Sequence, residues 1–127
     1  MMISDELRDK FNSDFDYTNI EKEDLQVLAM FLDSECANHY LHGDHTKFWV
    51  SKIKFNKDEN GSMQSAFIRV SGSYFKNREA VSFNGDGFIG FCGWADSINS
   101  EVIYRGFLQW LAYLRKKWGI EADGQDS

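Results

Sequence analysis

Thr46–Ser71 reads TKFWVSKIKFNKDENGSMQSAFIRVS, and the parsing of that stretch decides the fold. Upstream of it, apolar residues recur at helical spacing; within it they alternate. Trp49, Ile53 and Phe55 fall on one face of an extended segment over Thr46–Phe55, with Lys52 and Lys54 on the other. Asn60-Gly61 lies inside the polar run Asn56–Ser62 and favours a hairpin turn, because both residues tolerate positive φ. Met63–Ser71 then resumes an extended pattern, so the stretch predicts a β-hairpin.

Downstream, Ser73–Phe83 and Phe88–Ala95 read as further strands, broken near Gly72 and at the turn Asn84–Gly87. Four short strands joined by polar turns predict an antiparallel meander. From Ser97 helical spacing returns. Val102, Ile103, Phe107, Trp110, Leu111, Leu114 and Trp118 line one broad face, and Lys116 and Lys117 complement the dipole at the C-terminal end. Gly119 is the expected stop. Residues 1–120 are expected to form a single α+β domain, and 121–127 a disordered acidic tail.

Upstream, Ser4 caps an expected short helix to Ser13, with Leu7 and Phe11 as its apolar edge. Thr18 and Glu21 have the spacing of a capping box. The helix beyond carries Leu25, Leu28, Ala29, Leu32 and Cys36 on one stripe, widened by Val27 and Phe31, and is expected to end near His42 at Gly43. The predicted fold is therefore α+β: two N-terminal helices, a four-stranded antiparallel meander, and a C-terminal amphipathic helix packed on the sheet.

Composition narrows the class of protein. With 127 residues, 43% of them hydrophobic, the chain has material for one core. No run of about eighteen apolar residues exists to cross a membrane, and the early acids of MMISDELRDKF do not suit a secretory signal. Two cysteines do not make a disulfide scaffold, so a cytoplasmic protein with reduced, non-catalytic thiols is expected. The net charge of −6 argues against a generally basic nucleic-acid coat. Charge is uneven along the chain: eleven acids against three bases up to His45, then eleven bases against six acids to Ile120.

Motifs that suggest chemistry fail on spacing or context. Cys36, His39, His42 and His45 fall three apart, but such steps drift about sixty degrees each around a helix and do not converge on one ion. Asn56, Asp58, Asn60 and Gly61 resemble half a calcium loop, yet position twelve is Phe67 and the flanks are strands. Gly85, Gly87 and Gly90 spell G-x-G-x-x-G, but a strand follows where a phosphate site needs a helix. Cys36, His39 and Asp33 have nucleophile-like spacing without a pocket. No catalytic residue, metal or cofactor is assigned, and the protein is expected not to be an enzyme. A metal-dependent enzyme around the histidines ranks third among the functional readings.

The segment Asn77–Asp96, with Phe107-Leu108-Gln109-Trp110-Leu111, resembles small uncharacterised accessory proteins of bacteriophages and prophages. That resemblance implies a protein that binds and blocks a host factor. The resulting expectation is a non-enzymatic protein-binding module, a phage-type inhibitor of a host defence or nucleic-acid enzyme in the host cytoplasm. Its partner would be a host protein with a basic groove, met by the acids Asp5, Glu6, Asp9, Asp14, Asp16, Glu21, Glu23 and Asp24. The alternative is a single-stranded nucleic-acid-binding regulator. It would use the basic strand residues Lys47, Lys52, Lys54, Lys57, Arg69, Lys76 and Arg78, interleaved with aromatics.

Overall fold

The computed structural model describes residues 17–41, 48–73, 75–91 and 97–119. A 3₁₀ turn at Tyr17–Asn19 leads into helix α1, Lys22–Leu41. Strands β1 (Phe48–Lys57), β2 (Met63–Gly72), β3 (Phe75–Asn84) and β4 (Gly87–Phe91) follow, and helix α2 spans Ser97–Trp118. The strands pair antiparallel in the order β1-β2-β3-β4, which leaves β1 at one edge.

The sequence makes these elements for identifiable reasons. In the first hairpin, the Asp58 carboxylate accepts the amides of Asn60 and Ser62 at 2.9 and 3.0 Å, while Gly61 takes φ 85°. Asp58 therefore ties the turn itself, which is what the calcium-like spacing amounts to. At the second hairpin the Asp86 amide donates to Asn84 Oδ1 at 2.9 Å, and Gly87 opens a strand rather than a helix.

Helix α1 is capped three residues later than Thr18 and Glu21 predict. Thr18 lies in the 3₁₀ turn, and the Glu21 carbonyl accepts the first helical bonds, from the amides of Asp24 and Leu25. The Asp24 carboxylate returns to the Glu21 amide at 2.8 Å, so the reciprocal bond of a capping box comes from an aspartate.

The core lies between the helices and one face of the sheet. Leu25, Leu28, Ala29 and Leu32 of α1 meet Ile103, Phe107, Trp110, Leu111 and Leu114 of α2, with Ala66, Ile68, Val70, Val81 and Phe83 beneath. Tyr17 completes it, its ring stacked 6.2 Å from Trp110 and tilted 5.5 Å from Phe83. The two helices run antiparallel: Asp24 meets Lys117 at one end, and Cys36 clusters with Val102 at the other.

The predicted fold requires correction on three points. Of the two expected N-terminal helices, Ser4–Ser13 lies outside the described residues, among which a single long α-helix precedes the sheet. The sheet is carried by the three ten-residue strands β1, β2 and β3, and β4, expected over Phe88–Ala95, is a five-residue addition at Gly87–Phe91 alongside β3 among the described residues. The C-terminal helix packs along α1 as well as over the sheet, its buried face reaching the strands with Trp110 5.7 Å from Phe83. The broad apolar face of α2 is what serves both neighbours. The predicted end at Gly43 and the tail 121–127 lie outside the described residues.

Candidate functional site

The part of the surface that differs most from a solvated exterior is the seam between α1 and the edge strand β1. Its origin is a bulge. Val50 pairs with Val70, but the next pair is Lys52 with Arg69, so Ser51 is an extra residue in β1. Beyond the bulge, Ile53 and Phe55 pair with Ile68 and Ala66 on the core face. Before it, Trp49 pairs with Ser71 and so shares the opposite face with Lys52 and Lys54. The alternation read from sequence had put Trp49 with Ile53 and Phe55. One inserted residue reverses that assignment.

A polar knot holds the bulge. Ser51 Oγ donates to Asn77 Oδ1 at 2.7 Å, and the Asn77 amide donates to Ser71 Oγ at 2.9 Å. Asn77 itself adopts φ 50°, a left-handed conformation that asparagine tolerates better than most residues. On the helix side, Asp33 Oδ1 accepts the Val50 amide at 2.8 Å, so α1 supplies a partner to the strand edge just ahead of the bulge.

Between the two elements lies a groove of about 380 Å³, with Met30, Ala29 and Asp33 on the helix side and Val50, Lys52 and Ile53 on the strand side. Met30 is 69% exposed, Trp49 43% and Ile53 39%. Two of the four large apolar side chains exposed among the described residues, Met30 and Ile53, line this groove; Trp49 is exposed on the other face of β1, and Leu108 is on α2. Lys52 and Lys54 are exposed, and no described acid pairs with either. Arg69, the register partner of Lys52, lies with its guanidinium 4.4 Å from the centre of the Phe67 ring.

The acids nominated from sequence do not form one surface among the described residues. Asp24 is fully buried. Its carboxylate accepts the Glu21 amide, the Tyr113 hydroxyl at 2.9 Å and the Lys117 ammonium, while its carbonyl accepts Trp110 Nε1 at 2.8 Å. It is an internal junction, unavailable to a partner, because the chain places it on the side of α1 that meets α2. Glu21 and Glu23 are exposed, with Glu21 3.8 Å from Lys117. Asp5, Glu6, Asp9, Asp14 and Asp16 lie outside the described residues, as do Lys47, His42, His45 and the side chain of His39.

Electrostatics around the junction follow from contact and burial. The hydrogen bond to Asp24 holds the Lys117 ammonium above its ordinary value against the opposing pull of burial. Burial, and then the bond to Asp24, raise the Tyr113 hydroxyl. Cys36 is buried, and its thiol is pushed up to about 12 by burial and by the charges of Asp33 and Glu35. That is the opposite of nucleophile activation. No group of three or more metal-ligating side chains occurs among the described residues. No described helix is long and apolar enough to cross a membrane.

Sequence reasoning missed Met30, the bond of Asp33 to the strand edge and the placement of Trp49. A signal existed for two of them. Met30 is an apolar residue off the buried stripe of α1, and Trp49-Val50 are adjacent bulky residues that no strict alternation accommodates on one face.

Fold and seam together define an α+β protein in which no described strand pairs with the outer side of β1, beside an apolar groove. No family model matches the chain, and no curated protein or solved structure is similar to it. The resemblance to phage accessory proteins therefore gains no support from these comparisons.

Proposed function

We propose that the protein is a non-enzymatic protein-binding module whose contact surface is the outer edge of β1, paired with no described strand, and the groove it shares with α1. The observation that carries this reading is the exposure of Met30 and Ile53 along one groove beside the β1 edge, with Trp49 exposed on the other face of the same strand. Exposed apolar side chains occur singly on most surfaces, whereas a cluster rimmed by polar groups is the common anatomy of a protein contact. The test is a photo-cross-linking amino acid introduced at position 30, 53 or 112 in cells producing the protein. Protein adducts at 30 and 53, with none at the exposed α2 position 112, are expected. Equal labelling at all three positions, or no protein adducts, would overturn the reading.

The inhibitor form of this reading, in which acids of a phage-type protein fill a host's basic groove, rests on Glu21 and Glu23 among the described residues. It predicts adducts at position 23 instead. A second reading, single-stranded nucleic-acid binding, is favoured by the bulge, which puts an exposed tryptophan on the same face as Lys52, Lys54 and Arg69. Bases stack on such rings while cations follow the phosphates. Quenching of tryptophan emission by an oligonucleotide, lost in Trp49→Ala, would carry that reading. Unchanged emission would remove it.

A further inference from the structure

We infer that the occupant of the β1 edge is an extended segment of a partner protein in which acidic and apolar residues alternate, added as a further strand beside Lys52–Phe55. The inference rests on the protein-binding reading and specifies the chemistry of the partner.

The geometry leads there in three steps. First, no described strand pairs with the outer side of β1, so its backbone donors and acceptors beyond the bulge form a template for strand addition. Ahead of the bulge the Val50 amide already has Asp33 as its acceptor, so addition starts after Ser51.

Second, an added strand keeps the pleat of its neighbour, and its side chains alternate between the same two faces. On the core face they enter the groove against Ile53 and Met30, which selects apolar residues. On the opposite face they stand beside Lys52 and Lys54, which have no described counter-charge, and that selects carboxylates. The alternation in the partner is thus a copy of the alternation in β1.

Third, the same lysines exclude the simplest competitor. Two copies of this chain joined edge to edge through β1 would bring lysines against lysines, a like-charge arrangement that natural edges use to prevent self-pairing.

The experiment is selection from a displayed library of random decapeptides against the full chain. It is followed by affinity measurement on Ile53→Thr, on Met30→Gln, on the pair Lys52→Glu with Lys54→Glu, and on Leu108→Thr as an exposed apolar control. Enriched sequences should alternate Asp or Glu with Val, Ile, Leu or Phe. Affinity should fall about tenfold or more in Ile53→Thr and in the charge reversal, with Leu108→Thr unchanged. The alternate amides of Lys52–Phe55 that point away from β2 should gain protection from hydrogen exchange on binding. An unchanged thermal midpoint in each variant shows that the fold is retained.

Groove-binding peptides without alternation, sensitive to Ile53→Thr but indifferent to the lysine reversal, would overturn the inference and leave the protein-binding reading standing. No enrichment, or enrichment insensitive to every seam variant, would overturn both. A dimer seen by sedimentation and abolished by Ile53→Thr would also overturn the inference, since the occupant would then be a second copy.

Discussion

Asp24 directs both carboxylate oxygens and its carbonyl into the chain itself, and this one residue explains why helix spacing alone misjudged it. By type and position it belongs to the acidic first turn of α1, where a negative charge favours the helix N-terminus. By geometry it joins the cap of α1 to the last turn of α2, through Glu21, Trp110, Tyr113 and Lys117. Replacing it with alanine strands the Glu21 amide and the Tyr113 hydroxyl and removes the counter-charge of Lys117. Breaking a buried pair costs about 3–5 kcal/mol, and the lower end applies because Lys117 remains a third exposed. Asp24→Asn should cost about 1–3 kcal/mol, since one side of the amide turns a donor toward a donor. Urea unfolding of Asp24→Asn, Lys117→Met and the double variant separates the charge pair from the cap. If Asp24→Asn unfolds at the wild-type midpoint, the junction has no energetic weight.

Among the elements, α2 was legible because its sequence does one thing along its whole length. Val102, Ile103, Phe107, Trp110, Leu111 and Leu114 are all buried, as helical spacing required. What spacing could not supply was the partner of that face, because a broad stripe fits a sheet and a helix equally well. The choice is made at Gly106, where a Cβ would lie 2.7 Å from Leu32 Cδ2 and 3.2 Å from Leu32 Cα. A Cβ there would displace the Leu32 side chain and press on the α1 backbone, which would have to give by a few tenths of an ångström. Gly106→Ala should therefore destabilise by about 1–3 kcal/mol despite alanine's higher helix propensity, because the helices must separate. Trp110→Ala should cost roughly 3–5 kcal/mol through the cavity it leaves and the lost bond to the Asp24 carbonyl. A Gly106→Ala variant more stable than wild type in denaturant titration would mean that α1 yields easily.

The strands show the complementary limit. The turns were readable from Asn60-Gly61 and Asn84–Gly87, because turn chemistry is local. The bulge at Ser51 was not, because it depends on Asn77 and Ser71, which meet it only after β2 and β3 have paired. The candidate site sits on that non-local feature. Hence Ile53, Lys52 and Lys54 were visible as residues, while the surface they form with Met30 and Trp49 was not.

Across the whole molecule, the uneven charge of the sequence becomes a spatial pairing of helix ends. Asp24 in the first turn of α1 and Glu21 just ahead of it meet Lys117 in the last turn of α2, so part of the acidic excess is answered internally. The same arrangement sets the response of the fold to alkali. Cys36, Tyr113 and Lys117 all hold their protons more tightly in the folded chain than their ordinary values of 9.0, 10.0 and 10.5. A group whose folded pKa is raised contributes its full stabilisation below the unfolded value. That contribution is lost as pH climbs through the folded one. For Cys36 the window runs from pH 9.0 to about 12, with a slope that approaches about 1.4 kcal/mol per pH unit for one proton. Tyr113 and Lys117 add to the fall from their own ordinary values upward. The background deprotonation of other lysines and tyrosines is common to every variant, so comparison isolates each contribution. Cys36→Ala should lower stability near neutrality by a small cavity cost, then lose less than wild type from pH 9 upward, so that the two curves converge. Tyr113→Phe should leave the first part of the fall intact and flatten the later part. The measurement is the urea midpoint from pH 7 to 11 for the three proteins. Parallel curves for wild type and Cys36→Ala would show that the buried thiol ionises as readily in the folded chain as in the unfolded one.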